Sequence, residues 1–93
     1  MTNENIYPSQ SLLQFPCEFV IKVFGHASNE FELQTLTIIR HHIQDLAENS
    51  IKSRLSKDGK YLALSITMPV DSREQLDAIY QELSANPMVL MVL

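Results

Sequence analysis

The sequence predicts one α+β domain whose elements follow the order β-α-β-β-α-β. Three segments have the two-residue period of strands, most clearly residues 61–68, where apolar side chains alternate with smaller or more polar ones. Two other segments repeat apolar residues at steps of three and four, as amphipathic helices do. The length of 93 residues suits a single domain with one hydrophobic core.

The first β-α pair is predicted from residue 18 onward. Residues 18–25 are rich in β-branched and aromatic side chains, which favours a strand, and Gly25 is expected to end it. A helix is expected to follow, because Asn29 and Glu32 have the spacing of a capping box. Its predicted apolar stripe comprises Leu36, Ile39, Ile43 and Leu46, with Phe31 extending it at the N-terminal end.

A hairpin is predicted next. Its first strand covers residues 50–56, and Asp58-Gly59 is a strong signal for a tight turn. Residues 61–68 return as the third strand, which Pro69 is expected to stop. In the first hairpin strand, alternate positions are apolar and basic, with Ile51 and Leu55 on one face and Lys52 and Arg54 on the other.

The last α-β pair completes the chain. Asp71 or Ser72 is the predicted cap of the second helix, because Ser72 and Gln75 have the capping-box spacing. Residues 88–93 form the last strand, which is apolar on both faces. Since an exposed apolar edge strand invites aggregation, we expect the N-terminal arm or a second copy in a homodimer to cover it. The buried stripe of the helix is Leu76, Ile79, Tyr80 and Leu83.

Packing both helices on one face of a four-stranded antiparallel sheet is the compact solution, a ferredoxin-like plait. Right-handed crossovers give the strand order 4-1-3-2. Residues 17–93 form this domain, and residues 1–16 precede it as an N-terminal arm with apolar anchors at Leu12, Leu13 and Phe15. The other face of the sheet stays open, and its predicted residues include Val20, Lys22, Phe24, Lys52, Arg54, Tyr61, Ala63, Ser65 and Thr67.

The open face is the main candidate for a ligand or partner surface. Lys22, Lys52 and Arg54 are expected to lie near Tyr61, and such a group suits a phosphate, a carboxylate or an acidic protein surface. RNA-recognition domains place aromatic rings on adjacent strands, whereas this sequence has Ala63 at the position where such a domain would need its second ring. The net charge of −4 also disfavours nucleic-acid binding.

The sequence predicts no catalytic residues, no metal ligands and no cofactor, and therefore no enzyme. His41 and His42 are adjacent on a helix and point about 100° apart, unlike the spacing of four that metal sites use. His26 follows the first strand, and no spacing pairs it with Cys17 as a base. With two glycines, the chain has no glycine-rich phosphate loop.

The compartment is predicted from cysteine usage and apolar runs. One cysteine excludes an internal disulfide and fits a reducing compartment. The polar N-terminus does not have the basic start and apolar run of a signal peptide, and no stretch reaches the ~20 apolar residues that span a membrane. We therefore expect a cytoplasmic protein that does not associate with membranes.

Six short segments occur in a fixed order along the chain. They are Leu12-Leu13-x-Phe15-Pro16, Lys22-Val23-x-Gly25, Ser56-Lys57-x-Gly59-Lys60-Tyr61, Ser65-Ile66-Thr67, Tyr80-x-Glu82-Leu83 and Met91-Val92-Leu93. In that order they resemble the YbeD-like family of small uncharacterised bacterial proteins. The resemblance covers residues 12–93 and implies a ferredoxin-like fold close to the ACT regulatory domain, with no catalytic residues to carry over.

The ACT-like resemblance implies a second candidate site. ACT-like domains often bind small metabolites, such as amino acids, near the turn after strand one and at subunit interfaces. Here that turn contains Gly25, His26, Ser28 and Asn29, and the amides that open the helix suit a carboxylate. Two functions stay open: a regulatory or protein-interaction module, and a small-metabolite sensor.

Overall fold

A computed structural model describes residues 13–93. Within that range the chain forms one sheet of four antiparallel strands with the order β2-β3-β1-β4, which confirms the predicted order. Residues 1–12, and with them Leu12, lie outside the described residues, whereas Leu13 and Phe15 pack against the core as predicted. The elements are β1 (Cys17–His26), α1 (Asn29–His42), a 3-10 turn (Glu48–Ser50), β2 (Ile51–Leu55), β3 (Tyr61–Val70), α2 (Arg73–Ala85) and β4 (Val89–Val92).

The core lies between the sheet and both helices, on one side of the sheet. Along β3, every second side chain is buried while those between are exposed or half-buried, which is the pattern of a sheet covered on one face. The buried residues of α1 and α2 join the same cluster. This cluster comprises Ile21, Val23, Phe31, Ile38, Ile39, Ile43, Leu62, Leu64, Ile66, Met68, Val70, Leu76, Ile79 and Leu83.

The first helix differs from its prediction at both ends. Its N-cap is Ser28, whose Oγ accepts a hydrogen bond from the Phe31 amide (3.0 Å), so the predicted cap at Asn29 was wrong by one residue. The helix ends at His42, whose carbonyl accepts a bond from Gln75 Nε2 (3.0 Å). Leu46 therefore lies beyond the helix, although it still packs against the core.

The third strand continues through Pro69 to Val70, so the prediction that Pro69 stops it was wrong. A proline is tolerated where no neighbouring strand needs its missing N–H. β2 pairs with β3 only as far as Ile66, so no strand lies beside Pro69 on the β2 side. On its other side, β3 pairs with β1 through carbonyls and amides that point away from β2. Pro69 therefore removes no bond from the ladder.

The second helix begins as predicted. Ser72 Oγ accepts a bond from the Gln75 amide (3.1 Å), and Gln75 Oε1 accepts one from the Asp71 amide (2.7 Å). The first bond satisfies an amide of the first helical turn that has no partner within the helix, and the second fixes the residue before the cap. Within the described residues, neither helix has the length and apolar character needed to cross a bilayer.

The edge strand β4 pairs with β1 in a register that shifts once. Phe24 lies opposite Met91, but the next residue, Gly25, lies opposite Val89. Leu90 is thus an extra residue on β4, as in a β-bulge. On the other side of the shift, Lys22 and Leu93 exchange backbone hydrogen bonds of 2.9 and 2.8 Å.

Candidate functional site

The sheet face opposite the helices, the open face, is built from rows of cross-strand neighbours. In one row, Lys22 of β1 lies opposite Ser65 of β3, which lies opposite Lys52 of β2. Opposite residues project from the same face, and strands are about 4.8 Å apart, so the lysine Cα atoms are about 10 Å apart. The backbone N–H and C=O of Lys22 both bond to Leu93 and therefore point toward β4, away from β3. Lys22 and Ser65 are thus a non-hydrogen-bonded pair, the kind in which opposite side chains are closest.

The neighbouring row creates a depression. Phe24 of β1 lies opposite Ala63, and Ala63 lies opposite Arg54 of β2. The small alanine between two large side chains leaves an open hollow of about 390 Å³, within the size range of ligand sites. Its lining residues are Lys22, Phe24, Arg54, Leu55, Ser56, Tyr61, Leu62, Ala63 and Ser65.

Three of the four residues predicted for this surface therefore line one depression. Lys22, Arg54 and Tyr61 meet there, whereas Lys52 lies on the same face beside Ser65 but outside the lining. The sequence pattern did not indicate Leu55, Ser56 or Leu62, which enter the lining where β2 ends beside the hairpin. Nothing in the two-residue period indicates where a strand ends, so the pattern contained no signal for them.

The three cations of the open face have no anionic partner in the described chain. Among residues 13–93, no carboxylate lies within 4.0 Å of Lys22, Lys52 or Arg54, and the one contact within that distance between a basic side chain and a carboxylate joins His42 Nε2 and Glu82 Oε1 at 2.7 Å. The face is therefore positively charged, in a protein whose formal net charge is −4.

The hairpin carboxylate beside the depression is engaged by the turn itself. Ser56 Oγ donates to Asp58 Oδ1 (2.7 Å), and the Lys60 amide donates to the same oxygen (3.1 Å). These bonds, that of Ser56 first, lower the pKa of Asp58 below its ordinary value of 3.8. Asp58 is thus bound within the turn rather than placed against Lys22 or Arg54.

His26 lies between the two predicted sites, the open face and the turn after β1. It lies opposite Tyr61 at the end of the β1–β3 pairing, and the two ring centroids are 5.2 Å apart with planes tilted by 30°. His26 is the last residue of β1, since the strand continues one residue past Gly25. The turn after β1 is therefore continuous with the open face.

The other residues of that turn have structural contacts. A Cβ at Gly25 would lie 2.5 Å from Cε1 of Phe31 and 2.7 Å from the Met88 carbonyl oxygen, so this backbone approaches the core rather than a ligand space. The Ser28 hydroxyl is the acceptor for the α1 cap. Asn29 is exposed at the first position of the helix.

An apolar strip borders the cations on the β4 side. Met91 and Leu93 lie on the open face, because they are opposite Phe24 and Lys22. The strip also includes Val20, and the exposed fractions are 48% for Met91, 59% for Leu93 and 50% for Val20. The sequence of β4 is apolar on both faces, so the register of its last residues was needed to place the Met91 and Leu93 side chains.

Within residues 13–93, no group of three or more His, Cys, Asp and Glu side chains is arranged to hold a metal ion. Cys17 is half-buried at the start of β1, opposite Val70. His41 and His42 have ring centroids 6.1 Å apart, with planes at 70°.

Comparisons with known sequences identify a group of relatives. The model of a family described as "Protein of unknown function (DUF493)" matches residues 10–93. A UPF0250 protein of Chromobacterium violaceum is 43% identical over 84 residues, which cover 90% of this chain and 94% of the relative. A UPF0250 protein of Bordetella pertussis is 43% identical over 90 residues, covering 96% and 98%.

Solved structures share the fold. Protein HP0495 from H. pylori superposes with a TM-score of 0.68 at 18% identity, covering 97% of this chain and 98% of that one. The ACT domain of GTP pyrophosphokinase from Chlorobium tepidum gives 0.61 at 20% identity, covering 83% and 97%. The predicted ACT-like, ferredoxin-like fold is thus confirmed, while identities this low show the fold alone.

Proposed function

Because the chain belongs to the DUF493 family, which includes the UPF0250 proteins, we propose that it is a non-enzymatic module that regulates or binds another protein through its open face. The observation that carries this proposal is the set of unpartnered cations, Lys22, Lys52 and Arg54, around a depression with Tyr61 at its rim. Exposed cations beside an aromatic ring complement an anionic surface. We further propose that it works in the cytoplasm, as a reducing compartment suits its single cysteine.

A capture experiment from native cell extract tests this function. The full chain is immobilised beside two variants of equal charge change: Lys52→Ala with Arg54→Ala on the open face, and Arg40→Ala with Arg73→Ala on the exposed helix surfaces. The proposal expects a protein that the wild type and the helix variant retain and the open-face variant loses. Equal retention by all three would contradict it.

A second candidate is a sensor of small, amino-acid-like metabolites. The ACT domain of a GTP pyrophosphokinase supports it by its shared fold, and the hollow of about 390 Å³ lined by Lys22 and Arg54 suits a carboxylate. A ligand at one hundred times its Kd stabilises the folded state by about 2.7 kcal/mol, which raises Tm measurably. Thermal shift against amino acids and nucleotides separates the two: a shift favours the sensor, and none favours the module.

A further inference from the structure

We propose that the open face binds a short, extended acidic segment of another protein, with carboxylates at Lys22, Lys52 and Arg54 and an apolar side chain on the strip of Val20, Met91 and Leu93. This inference rests on the proposed function and adds the chemistry of the partner.

The size of the face selects a segment rather than a broad protein surface. Four strands at about 4.8 Å spacing are about 15 Å wide, and the ten residues of β1 extend about 30 Å, so the face offers roughly 450 Å² at most. A stable protein interface buries about 800 Å² on each partner. An extended segment of six to eight residues spans about 20–26 Å, which is enough to cross the four strands from β2 to β4.

The charges select an acidic occupant. Two rows of cross-strand neighbours place Lys22, Lys52 and Arg54 at the positions around Ser65 and Ala63. Among residues 13–93 these cations contact no carboxylate within 4.0 Å, so an incoming carboxylate would be their first anionic partner. The Ser65 hydroxyl, which lies between the two lysines, adds a donor for the same oxygens.

The apolar strip selects a segment that also carries an apolar side chain. Val20, Met91 and Leu93 are about half exposed and border Lys22 and Phe24 on the β4 side. A free metabolite held in the depression would leave this strip in water. A segment that crosses from β2 to β4 covers both parts of the face.

Nucleic acid fits the same face less well. Single-stranded nucleic acid is bound by stacking successive bases on several exposed rings, and the row between Phe24 and Arg54 contributes Ala63. By its register Glu18 also lies on this face, opposite Pro69, so any anion, carboxylate or phosphate, is expected at the other end of the face, around Lys22 and Arg54. The apolar strip offers nothing to a sugar-phosphate chain.

Peptide binding to the full chain provides the test. The probe is a fluorescein-labelled peptide of about eight residues. Serine occupies every second position, and the positions in between are two glutamates followed by two leucines. An extended chain projects alternate residues from one face, so the glutamates and leucines can all contact the sheet. One matched peptide has glutamine for glutamate, another has alanine for leucine, and an oligouridylate of equal length is the nucleic-acid probe. Fluorescence polarisation gives Kd, and amide chemical shifts locate the bound peptide.

Variants identify the residues that bind. Lys22→Gln with Arg54→Gln should weaken the acidic peptide about fivefold or more, as expected for two exposed charge pairs. The control, Arg40→Gln with Arg73→Gln, changes the net charge equally on the helix surfaces and should stay within about twofold. Leu93→Ser should weaken the leucine peptide about threefold and leave the alanine peptide unchanged. Raising NaCl from about 50 to about 300 mM should weaken binding through screening.

Each outcome decides the proposal. Preference for the acidic peptide, loss in the open-face variant and shifts confined to the open face support it. The proposal would be overturned if the glutamine peptide bound equally well, if neither peptide bound, or if the oligouridylate bound more tightly. Self-association of the protein that Lys22→Gln with Arg54→Gln abolishes would also overturn it. A partner captured through the open face that excess acidic peptide fails to displace would overturn this inference and leave the proposed function standing.

Discussion

Gly25 and Phe31 are in such close contact that a methyl group at position 25 would lie 2.5 Å from ring atom Cε1 and 2.6 Å from Cδ1. The Phe31 ring is fully buried, and its position under the end of β1 holds α1 against the sheet. Gly25, the second-last residue of β1, therefore serves packing at the end of the candidate surface, where His26 and Tyr61 lie.

Gly25→Ala should destabilise the fold by about 1–3 kcal/mol, because an overpacked core must move the ring or the Met88 carbonyl. Gly59→Ala is the matched control. Its φ of 74° costs an alanine about 1 kcal/mol, but nothing lies within 4 Å of the added Cβ. Urea unfolding of both variants measures the difference, and an equal loss at the two positions would contradict the packing account.

Thr35→Val should stabilise the protein by about 1 kcal/mol. Within the described chain, the Thr35 hydroxyl is buried without a hydrogen-bond partner, and an unpaired buried polar group costs free energy that a methyl group does not. Thr37→Val is the control, because the exposed Thr37 hydroxyl donates to the Leu33 carbonyl (2.8 Å). Thermal or urea unfolding compares them; a loss of stability in Thr35→Val would show that this hydroxyl is satisfied.

Ser56→Ala should raise the pKa of Asp58 toward 3.8, because the Ser56 hydroxyl is the main cause of its lowered pKa. A carboxyl group with a lowered folded-state pKa stabilises the fold above its unfolded pKa, and this contribution is lost as pH falls through the folded value. The hairpin should thus become less acid-sensitive in the variant. NMR titration of the Asp58 carboxyl measures the pKa, and an unchanged value would refute the assignment.

Burial raises the pKa of Tyr80 to about 12 from the usual 10.0. Between those two values the unfolded chain loses the proton that the folded protein keeps, so stability should be complete below pH 10.0 and fall as pH rises toward about 12. Tyr80→Phe should remove this part of the alkaline loss. Absorbance titration of the phenols, with and without Tyr80, checks it; a transition near 10.0 for Tyr80 would contradict it.

The sequence predicted the sheet well because its signals are local. The alternation along β3 indicates its buried face, the Asp58-Gly59 turn pairs β2 with β3, and the right-handed crossover rule supplies the rest of the strand order. Lys22 and Arg54 then fall on one face because alternate residues of a strand share a face. The family resemblance was confirmed as well. Neither prediction required knowledge of distant contacts.

The errors arose where distant contacts decide. Ser28 and Asn29 are both good caps, and the position of Phe31 in the core selects the first. Pro69 continues a strand because β2 is too short to reach it. The candidate site was incomplete for the same reason: the placement of Met91 depends on a shifted register that no local pattern records.

That shifted register also limits what the sheet edge can recruit. β4 has four residues, and the extra Leu90 interrupts the even spacing of its outward-facing amides and carbonyls. A strand from another molecule needs a regular row of such groups to continue a sheet, as in amyloid growth. The irregular edge therefore opposes fibril-like stacking, although it carries three exposed apolar side chains, Leu90, Met91 and Leu93.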